Sequence, residues 1–125
     1  MIGVLELILC DIGNTTYHFL IKDRHKKYFL DEKVPKFDDE IYFVSVNEKA
    51  TKKLLKKNPQ AKNIKELLDF QTSYQGLGID RAVACSFQDN CVIVDAGSAI
   101  TVDVMEESKH IGGFILLGLR RFMKS

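Results

Sequence analysis

Short apolar runs separated by turn residues cover most of this chain and predict a fold rich in β-strands. Residues 4–10 form an apolar run, and β-branched and aromatic residues alternate with polar ones over residues 16–22. A Gly13-Asn14 turn signal separates the two runs, so they are expected to form a hairpin. The same kind of pattern predicts further strands at residues 27–30, 41–46, 91–95, 99–105 and 110–116.

Helical spacing occurs in fewer segments. Asn47 is a capping residue, and apolar residues recur after it at helical intervals until Asn58, where the pattern ends. The lysines of this segment are compatible with a basic patch, but a solvated helix face is the more common arrangement. A second helix is predicted at residues 80–87, and residues 63–78 are expected to be mostly loop with a short helix at 64–70. Together these elements predict a mixed α/β fold.

The composition is that of a soluble globular domain whose net charge provides no long-range attraction for polyanions. Of the 125 residues, 46% are hydrophobic and 28% are charged, which is enough apolar content to bury a core. The 18 basic and 17 acidic residues leave a formal charge of +1, so neither nucleic acid nor a membrane is an expected partner. A secretory leader and an apolar run of roughly 18 residues are both missing, so a cytoplasmic location is expected.

The cysteines and histidines show no metal-ligand spacing. Cys10, Cys85 and Cys91 are odd in number, lack a Cys-x-x-Cys pair and sit in or beside apolar segments, which predicts reduced core residues. The three histidines are scattered and are expected at the surface or at the edge of the core. A zinc site is therefore not predicted.

One hairpin design occurs twice in the chain. Residues 7–10 run into Asp11-Ile12-Gly13, and residues 92–94 run into Asp95-Ala96-Gly97. An aspartate at a strand end presents a carboxylate to a cleft, and a glycine in the turn lets a phosphate approach backbone N–H groups. Asp11 and Asp95 are therefore expected at the ends of adjacent central strands, facing one cleft. The ordinary alternative is two unrelated tight turns, because Asp and Gly are common turn residues.

The paired hairpins resemble the phosphate motifs of the acetate and sugar kinase, heat-shock protein and actin superfamily. Three motifs narrow the resemblance to the type III pantothenate kinases: DIGNT at residues 11–15, GIDR at 78–81 and VDAGSAITVD at 94–103. A fourth segment, GGFILLG at 112–118, is similar to the family's glycine-rich segment, although Leu117 stands where a proline is usual. The resemblance covers essentially the whole chain but about half of a usual family member.

The resemblance implies an α/β fold of the ribonuclease H-like, actin-like ATPase type, with a mixed sheet, flanking helices and a truncated second half. Residues 1–90 would form the first domain, with a phosphate loop at 11–18 and a substrate segment at 74–81. Residues 91–125 would begin a second, incomplete domain.

The phosphate loop carries most of the nucleotide contacts that the resemblance implies. Asp11 would help to hold the divalent ion on the ATP phosphates, and Asn14 and Thr15 would donate hydrogen bonds. His18 stands where a basic residue is common, and Ser98 stands where a threonine commonly contacts ATP. The implied ATP-binding set is Asp11, Ile12, Gly13, Asn14, Thr15, Thr16, Tyr17, His18 and Ser98.

The GIDR segment carries the contacts with the acceptor substrate in this resemblance. Asp80 would be the general base that accepts the proton of the pantothenate hydroxyl as it attacks the γ-phosphate. Arg81, Gly78 and Ile79 would contact pantothenate, and Tyr74 would line its pocket or serve in packing. Without the resemblance, Asp80 is better explained as the N-cap of the helix predicted at 80–87.

The implied activity is ATP-dependent phosphorylation of pantothenate to 4'-phosphopantothenate, the first step of coenzyme A biosynthesis. ATP with Mg²⁺ and a monovalent cation, K⁺ or NH₄⁺, are the implied cofactors, and Asp95 resembles the position that binds the monovalent ion. The family forms homodimers, so the full-length protein is expected to be one. Two alternatives stay open: another kinase of the same superfamily, or a non-catalytic or inactive fragment.

Overall fold

Strands dominate the part of the chain that the structure describes. The structure is a computed structural model, and it describes residues 7–22, 24–66, 80–85, 90–96 and 100–116. Residues 64–66 are helical. The other elements are, in chain order, β1 (Leu7–Ile12), β2 (Thr16–Ile21), β3 (Arg24–Phe29), β4 (Glu40–Ser45), α1 (Glu48–Lys57), β5 (Lys62–Asn63), β6 (Asp80–Cys85), β7 (Cys91–Ala96), β8 (Ile100–Glu106) and β9 (Lys109–Leu116).

Five strands form a mixed sheet, here called sheet A, in the order β3-β2-β1-β4-β5. The first three strands form an antiparallel meander in which Asp11 pairs with His18 and Thr16 pairs with Phe29. β4 lies parallel to β1 on its other edge, and the short β5 lies parallel to β4. The almost uninterrupted apolar sequence of β1 suits this central place, where both faces of the strand are covered.

The remaining four strands form an antiparallel sheet, here called sheet B, in the order β6-β7-β8-β9. Buried residues alternate with more exposed ones along β7 and β8, with Val92 and Val94 buried on β7 and Val102 buried on β8. This period of two means that one face of sheet B is buried and the other is only partly buried. A β-bulge between Val104 and Met105 shifts the register with β9.

The two sheets pack face to face on one apolar cluster. Leu7 and Leu9 of β1 contribute to it from sheet A, and Val94 and Val102 contribute from sheet B. A second cluster covers the opposite face of sheet A with α1 and the chain before β4, and its members include Ile8, Cys10, Ile12, Tyr17, Phe19, Val34, Ala50 and Leu54. β1 is therefore buried on both faces.

Helix α1 has polar contacts at both ends, and one buried hydroxyl attaches it to sheet A. The Asn47 side chain accepts the Ala50 N–H at 3.1 Å and caps the first turn. Asn58 is buried at the other end, where its side-chain oxygen accepts the Phe37 N–H at 2.7 Å. The Tyr17 hydroxyl donates to the Ala50 carbonyl at 2.8 Å and ties β2 to the helix.

Most predicted elements are confirmed in the described chain, and one is wrong. Strands occupy the predicted segments, α1 occupies the predicted amphipathic helix, and the mixed α/β class is confirmed. The helix predicted at residues 80–87 is wrong, because residues 80–85 form β6. Ala82 and Ala84 favour a helix in isolation, but pairing with β7 along the whole strand overrides that preference.

One of the three cysteines is a buried, free thiol, and the other two form a disulfide. Cys10 is buried and free, as predicted. Cys85 and Cys91 form a disulfide, so the expectation of reduced residues is wrong for this pair. The pairing becomes visible only with the register of β6 and β7, which places the two residues directly opposite each other with Cα atoms 4.1 Å apart.

Replacing Gly113 with alanine should destabilise sheet B. A Cβ atom at position 113 would overlap the carbonyl oxygen of Val102, which belongs to the backbone of the paired strand and cannot rotate away. Gly13→Ala is the matched control, because the nearest atom to a Cβ there is the Thr16 oxygen at 3.8 Å. We expect Gly113→Ala to lower the free energy of unfolding by about 1 to 3 kcal/mol, as overpacking typically does.

The free energy of unfolding of both variants is measured by urea denaturation, with circular dichroism as the signal. Gly13→Ala should change the free energy of unfolding by less than about 1 kcal/mol, because its backbone accommodates a side chain. Equal losses in the two variants would contradict the steric argument.

Candidate functional site

The loop between β1 and β2 contains the DIGNT motif and is a short, well-anchored turn. The Gly13 N–H donates to the Thr16 carbonyl at 2.9 Å, which closes the turn. Asn14 and Thr15 lie at its tip and both are exposed. The Thr15 carbonyl accepts the Leu30 N–H at 3.0 Å, which attaches the loop to the chain beyond β3. These backbone hydrogen bonds therefore hold the loop in place while the residues at its tip are exposed to solvent.

Gly13 has no reason within the described chain to be a glycine. Its φ is not in the left-handed region, and a Cβ added to it would meet its nearest neighbour at an ordinary van der Waals distance. The fold therefore tolerates a side chain at this position, and the space beside the backbone is open. Such an opening lets a ligand approach the main chain closely, which is what a phosphate-binding turn requires.

Asp11 is a half-buried carboxylate near the end of β1. Strand alternation places it on the same face as Leu7 and Leu9, which is the face that packs against sheet B. Burial raises the pKa of Asp11 above its usual value of 3.8, because desolvation penalises the charged form. A carboxylate that is partly removed from water interacts more strongly with a nearby cation than a solvated one does.

His18 lies directly across from Asp11 on β2, and its imidazole already has aromatic partners. Its Nε2 lies 2.8 Å from Nδ1 of His25, a hydrogen bond in which one ring donates and the other accepts. The ring also packs edge-on against Phe114 of β9, with centroids 5.0 Å apart. Burial, followed by the charges of His25 and Lys27, lowers the pKa of His18. The lowered pKa favours the neutral form of this histidine.

Two of the expected ATP-binding side chains are core residues. Ile12 and Tyr17 are fully buried in the cluster beneath α1. Burial, and then the neighbouring Cys10, raises the pKa of Tyr17, whose hydroxyl is occupied by the Ala50 carbonyl. Any contact of these two residues with a nucleotide must use their backbone.

The pairing of β6 with β7 joins the two other motifs. Asp80 lies opposite Ala96, and Arg81 lies opposite Asp95. The last two residues of the GIDR motif and the first two of the second Asp-x-Gly motif are thus neighbours in one sheet, at the same end of two adjacent strands. The sequence pattern did not indicate this, because residues 80–87 had the spacing and composition of a helix.

Asp11 and Asp95 do not face a common cleft in the described structure. Their strands belong to different sheets. Val92 and Val94 face sheet A, so alternation places Asp95 on the opposite face of β7, whereas Asp11 faces sheet B. The expectation of adjacent central strands with both carboxylates in one cleft is therefore wrong. The repeated motif specifies each turn, but the docking of the two sheets decides which way each carboxylate points.

The outer face of sheet B carries a second polar group beside Asp95. Thr101 pairs with Asp95 across β7 and β8, and Asp103 follows on the same face. Nε2 of His110 lies 2.8 Å from Oδ1 of Asp103, in an exposed pair that sequence reasoning missed. A bulge that leaves Ile111 of β9 unpaired lies between His110 and Gly113, the register partner of Asp103, and no local signal reveals it. Within the described ranges, no group of three His, Cys, Asp or Glu side chains could hold a metal ion.

Several expected site residues lie outside the part of the chain that the structure describes. These are Tyr74, Gly78, Ile79 and Ser98. For Asp80 and Arg81 the structure describes the backbone position and register.

Comparison with known proteins identifies the family. The family model described as type III pantothenate kinase matches residues 29–125. This match covers more than half of the chain, so the chain belongs to the type III pantothenate kinase family.

Curated relatives carry the same name. A type III pantothenate kinase of Helicobacter hepaticus is 49% identical over 121 residues, which cover 94% of this chain and 58% of the relative. One from Helicobacter pylori is 47% identical over 124 residues, with 94% of this chain and 53% of the relative covered. One from Wolinella succinogenes is 42% identical over 117 residues, with 93% and 56% covered. The chain thus spans about half the length of the curated relatives it matches.

A solved structure from Campylobacter jejuni, named for a Baf family transcriptional activator, is 36% identical to this chain. The match covers 90% of this chain and 55% of that one, with a TM-score of 0.35. At that score the superposition supports no argument about the fold.

Asp11→Asn should stabilise the folded chain at neutral pH. Folding raises the pKa of Asp11 above its value in the unfolded chain, near 3.8. The contribution of this group to stability is therefore fully present below pH 3.8, and it is lost as the pH rises through the pKa of the folded chain. At pH 7 the charged, partly desolvated carboxylate therefore costs stability, and a neutral amide removes this cost. We expect a higher melting temperature for Asp11→Asn at pH 7 and a difference that narrows toward pH 4.

Differential scanning fluorimetry without nucleotide measures this difference. Asp38→Asn, at an exposed position, controls for the loss of one negative charge and should leave the melting temperature nearly unchanged. A lower melting temperature for Asp11→Asn at pH 7 would show that the carboxylate has a stabilising partner.

Proposed function

We propose that this chain supplies the nucleotide-binding and acceptor-binding segments of a pantothenate kinase. The reaction transfers the γ-phosphoryl group of ATP to the primary hydroxyl of pantothenate and yields 4'-phosphopantothenate, the first step of coenzyme A biosynthesis. The observation that carries the proposal is the register of β6 and β7, with Asp80 beside Ala96 and Arg81 beside Asp95. This register supports the proposal because it sets two residues of the acceptor motif beside the strand that carries Asp95, and phosphoryl transfer requires its reacting groups to be held close together.

The ATP phosphates are proposed to lie at the loop between β1 and β2. The open space beside Gly13 and the exposed Asn14 and Thr15 support this placement. Asp11 would hold the Mg²⁺ that accompanies the nucleotide, and its half-buried carboxylate fits a hard, oxygen-seeking cation. When bound, Mg²⁺ neutralises charge on the phosphates during transfer.

Asp80 is proposed as the general base toward the pantothenate hydroxyl. The competing interpretation, an N-cap of a helix, has lost its basis because Asp80 begins a strand. Arg81 would contact pantothenate as a permanent cation with several donors. Gly78, Ile79 and Tyr74 would complete the acceptor pocket.

Asp95 is proposed as the site of the monovalent cation, K⁺ or NH₄⁺. It is half-buried and lies in register with Arg81 on one side and Thr101 on the other. Because Asp95 and Asp11 lie on different sheets, the monovalent ion and the nucleotide-bound Mg²⁺ would occupy separate positions. Ser98, three residues after Asp95, would contact ATP through its hydroxyl.

The fold is proposed to be of the ribonuclease H-like, actin-like ATPase type. The order β3-β2-β1-β4-β5, with β2 antiparallel to a central β1 and β4 parallel to it, supports this assignment. We keep the division into residues 1–90 and 91–125 as a proposal. The described strands group as residues 7–63 and 80–116, because β6 pairs within sheet B.

The cellular setting is proposed from the bacterial relatives. Across the described ranges, no helix is long and apolar enough to cross a membrane. We propose a cytoplasmic enzyme that forms a homodimer at the full family length and has no nucleic-acid partner, in keeping with a formal charge of +1.

Gly13→Ala should weaken ATP binding while leaving the fold intact. A methyl group at this turn would fill the space through which a phosphate reaches the backbone, and it would meet the Thr16 oxygen only at an ordinary van der Waals distance of 3.8 Å. We expect ATP affinity, measured by titration calorimetry in a chain of the full family length, to fall by about tenfold or more, as the loss of charged hydrogen bonds typically costs. Unchanged affinity would place the phosphates elsewhere.

Asp80→Asn should lower the rate of pantothenate phosphorylation by about 100-fold or more, with little change in ATP binding. The amide keeps the shape of the side chain but cannot accept a proton, and the loss of a positioned base typically costs about 10² to 10⁴ in rate. A coupled assay for ADP release in a chain of the full family length measures turnover. Asp38→Asn, at an exposed position, is the matched control.

The same assay distinguishes the proposed acceptor from other hydroxyl compounds. Near-normal turnover of Asp80→Asn would show that Asp80 is not the base. ATP binding without phosphorylation of pantothenate by the unmodified protein would favour a non-catalytic protein or a different acceptor.

A further inference from the structure

We propose that a cavity between the β3–β4 connection and α1 binds a small molecule that carries several phosphate groups. This cavity, called the lysine cavity below, has a volume of about 630 Å³, which is within the range of ligand sites. Its lining comprises Asp31, Glu32, Lys33, Val34, Lys53, Lys56 and Lys57. None of these residues belongs to the motifs assigned to ATP or pantothenate.

The lining is positively charged. The lining contains four lysines and two acidic residues, so its net charge is +2. The Glu32 carboxylate is already occupied, because its Oε1 accepts the Phe29 N–H at 2.7 Å. The C-terminal end of α1 contributes a partial negative charge of roughly half a unit, which is smaller than the net charge of the lysines.

The lysines converge from two separate segments of the chain. Lys33 comes from the β3–β4 connection, and Lys56 and Lys57 come from the last turn of α1. Lys49 and Lys52 are exposed on the same helix but are not part of the lining. A uniformly solvated lysine face would not line a cavity, and an anion in this one would be attracted by lysines from both segments.

Lys53 holds the two walls of the cavity together. Its ammonium donates to the Leu30 carbonyl at 2.6 Å and lies 3.5 Å from the Glu32 carbonyl oxygen. These contacts attach α1 to the β3–β4 connection, so the cavity exists before any ligand binds. Leu30 also donates its N–H to the Thr15 carbonyl, which connects the cavity wall to the DIGNT loop.

The chemistry of the lining favours phosphate esters or polyphosphates over simple carboxylates. A volume of about 630 Å³ exceeds the needs of a single small anion, and several ammonium groups match several phosphates. The source is either inorganic polyphosphate or a phosphorylated metabolite, and both present the same groups.

Inorganic tripolyphosphate, added to the ¹⁵N-labelled chain and followed by NMR, tests the lysine cavity. We expect the backbone amides of residues 31–34 and 53–57 to shift, with an affinity that falls as salt is added. The double variant Lys56→Gln and Lys57→Gln should weaken binding by about tenfold or more. Lys52→Gln, on the same helix but outside the lining, should bind as the unmodified chain does.

A parallel titration with ADP distinguishes the two sources. Tighter binding of ADP at the same amides indicates that an ester with an apolar part is preferred, and tighter binding of tripolyphosphate indicates a bare polyphosphate; either supports the site. Shifts confined to residues 13–16, no shift at the cavity, or an equal loss in Lys52→Gln would overturn it. Shifts at residues 13–16 bear only on the proposed ATP site, so the two proposals fail separately.

Discussion

The burial of β1 on both faces is the constraint on which the rest of this structure depends. Leu7 and Leu9 contribute to the contact with sheet B, while Ile8 and Cys10 pack on the side of α1. A strand with apolar residues on both faces has to lie in the middle of a sheet and between two layers. Asp11 comes where this apolar run ends, which is why a half-buried carboxylate lies next to an exposed loop.

The cost of that arrangement is informative about function. At neutral pH, a carboxylate whose pKa is raised by burial makes the folded chain less stable than an amide at the same position would. Gly13, beside it, is a glycine where the fold accepts a side chain. Neither feature adds to the stability of the fold, and both would be useful in a site that holds a cation and a phosphate. Sites that bind ligands commonly retain such residues at the expense of stability.

Pairing of β6 with β7 changes the meaning of the GIDR motif. If residues 80–85 were a helix, Asp80 would have an adequate structural role as its cap. As the first residue of a strand, it lies beside the second Asp-x-Gly hairpin and has no helix to cap. Because β7 belongs to sheet B, Asp95 lies on a different sheet from Asp11. The two Asp-x-Gly motifs are therefore better regarded as two separate sites than as the two sides of one cleft.

The sequence by itself determined the strands of both sheets other than β5 and β6, the helix α1 and the motifs of the family, because each depends on local periodicity, on capping at Asn47 or on short runs of residues. It also indicated Asp11 and Gly13 as candidate site residues. Only the tertiary structure decided that residues 80–85 form a strand, that Cys85 meets Cys91, and that Asp95 points away from Asp11. These features depend on pairing and on the docking of two sheets, and such contacts between distant segments leave no periodic signal in the chain.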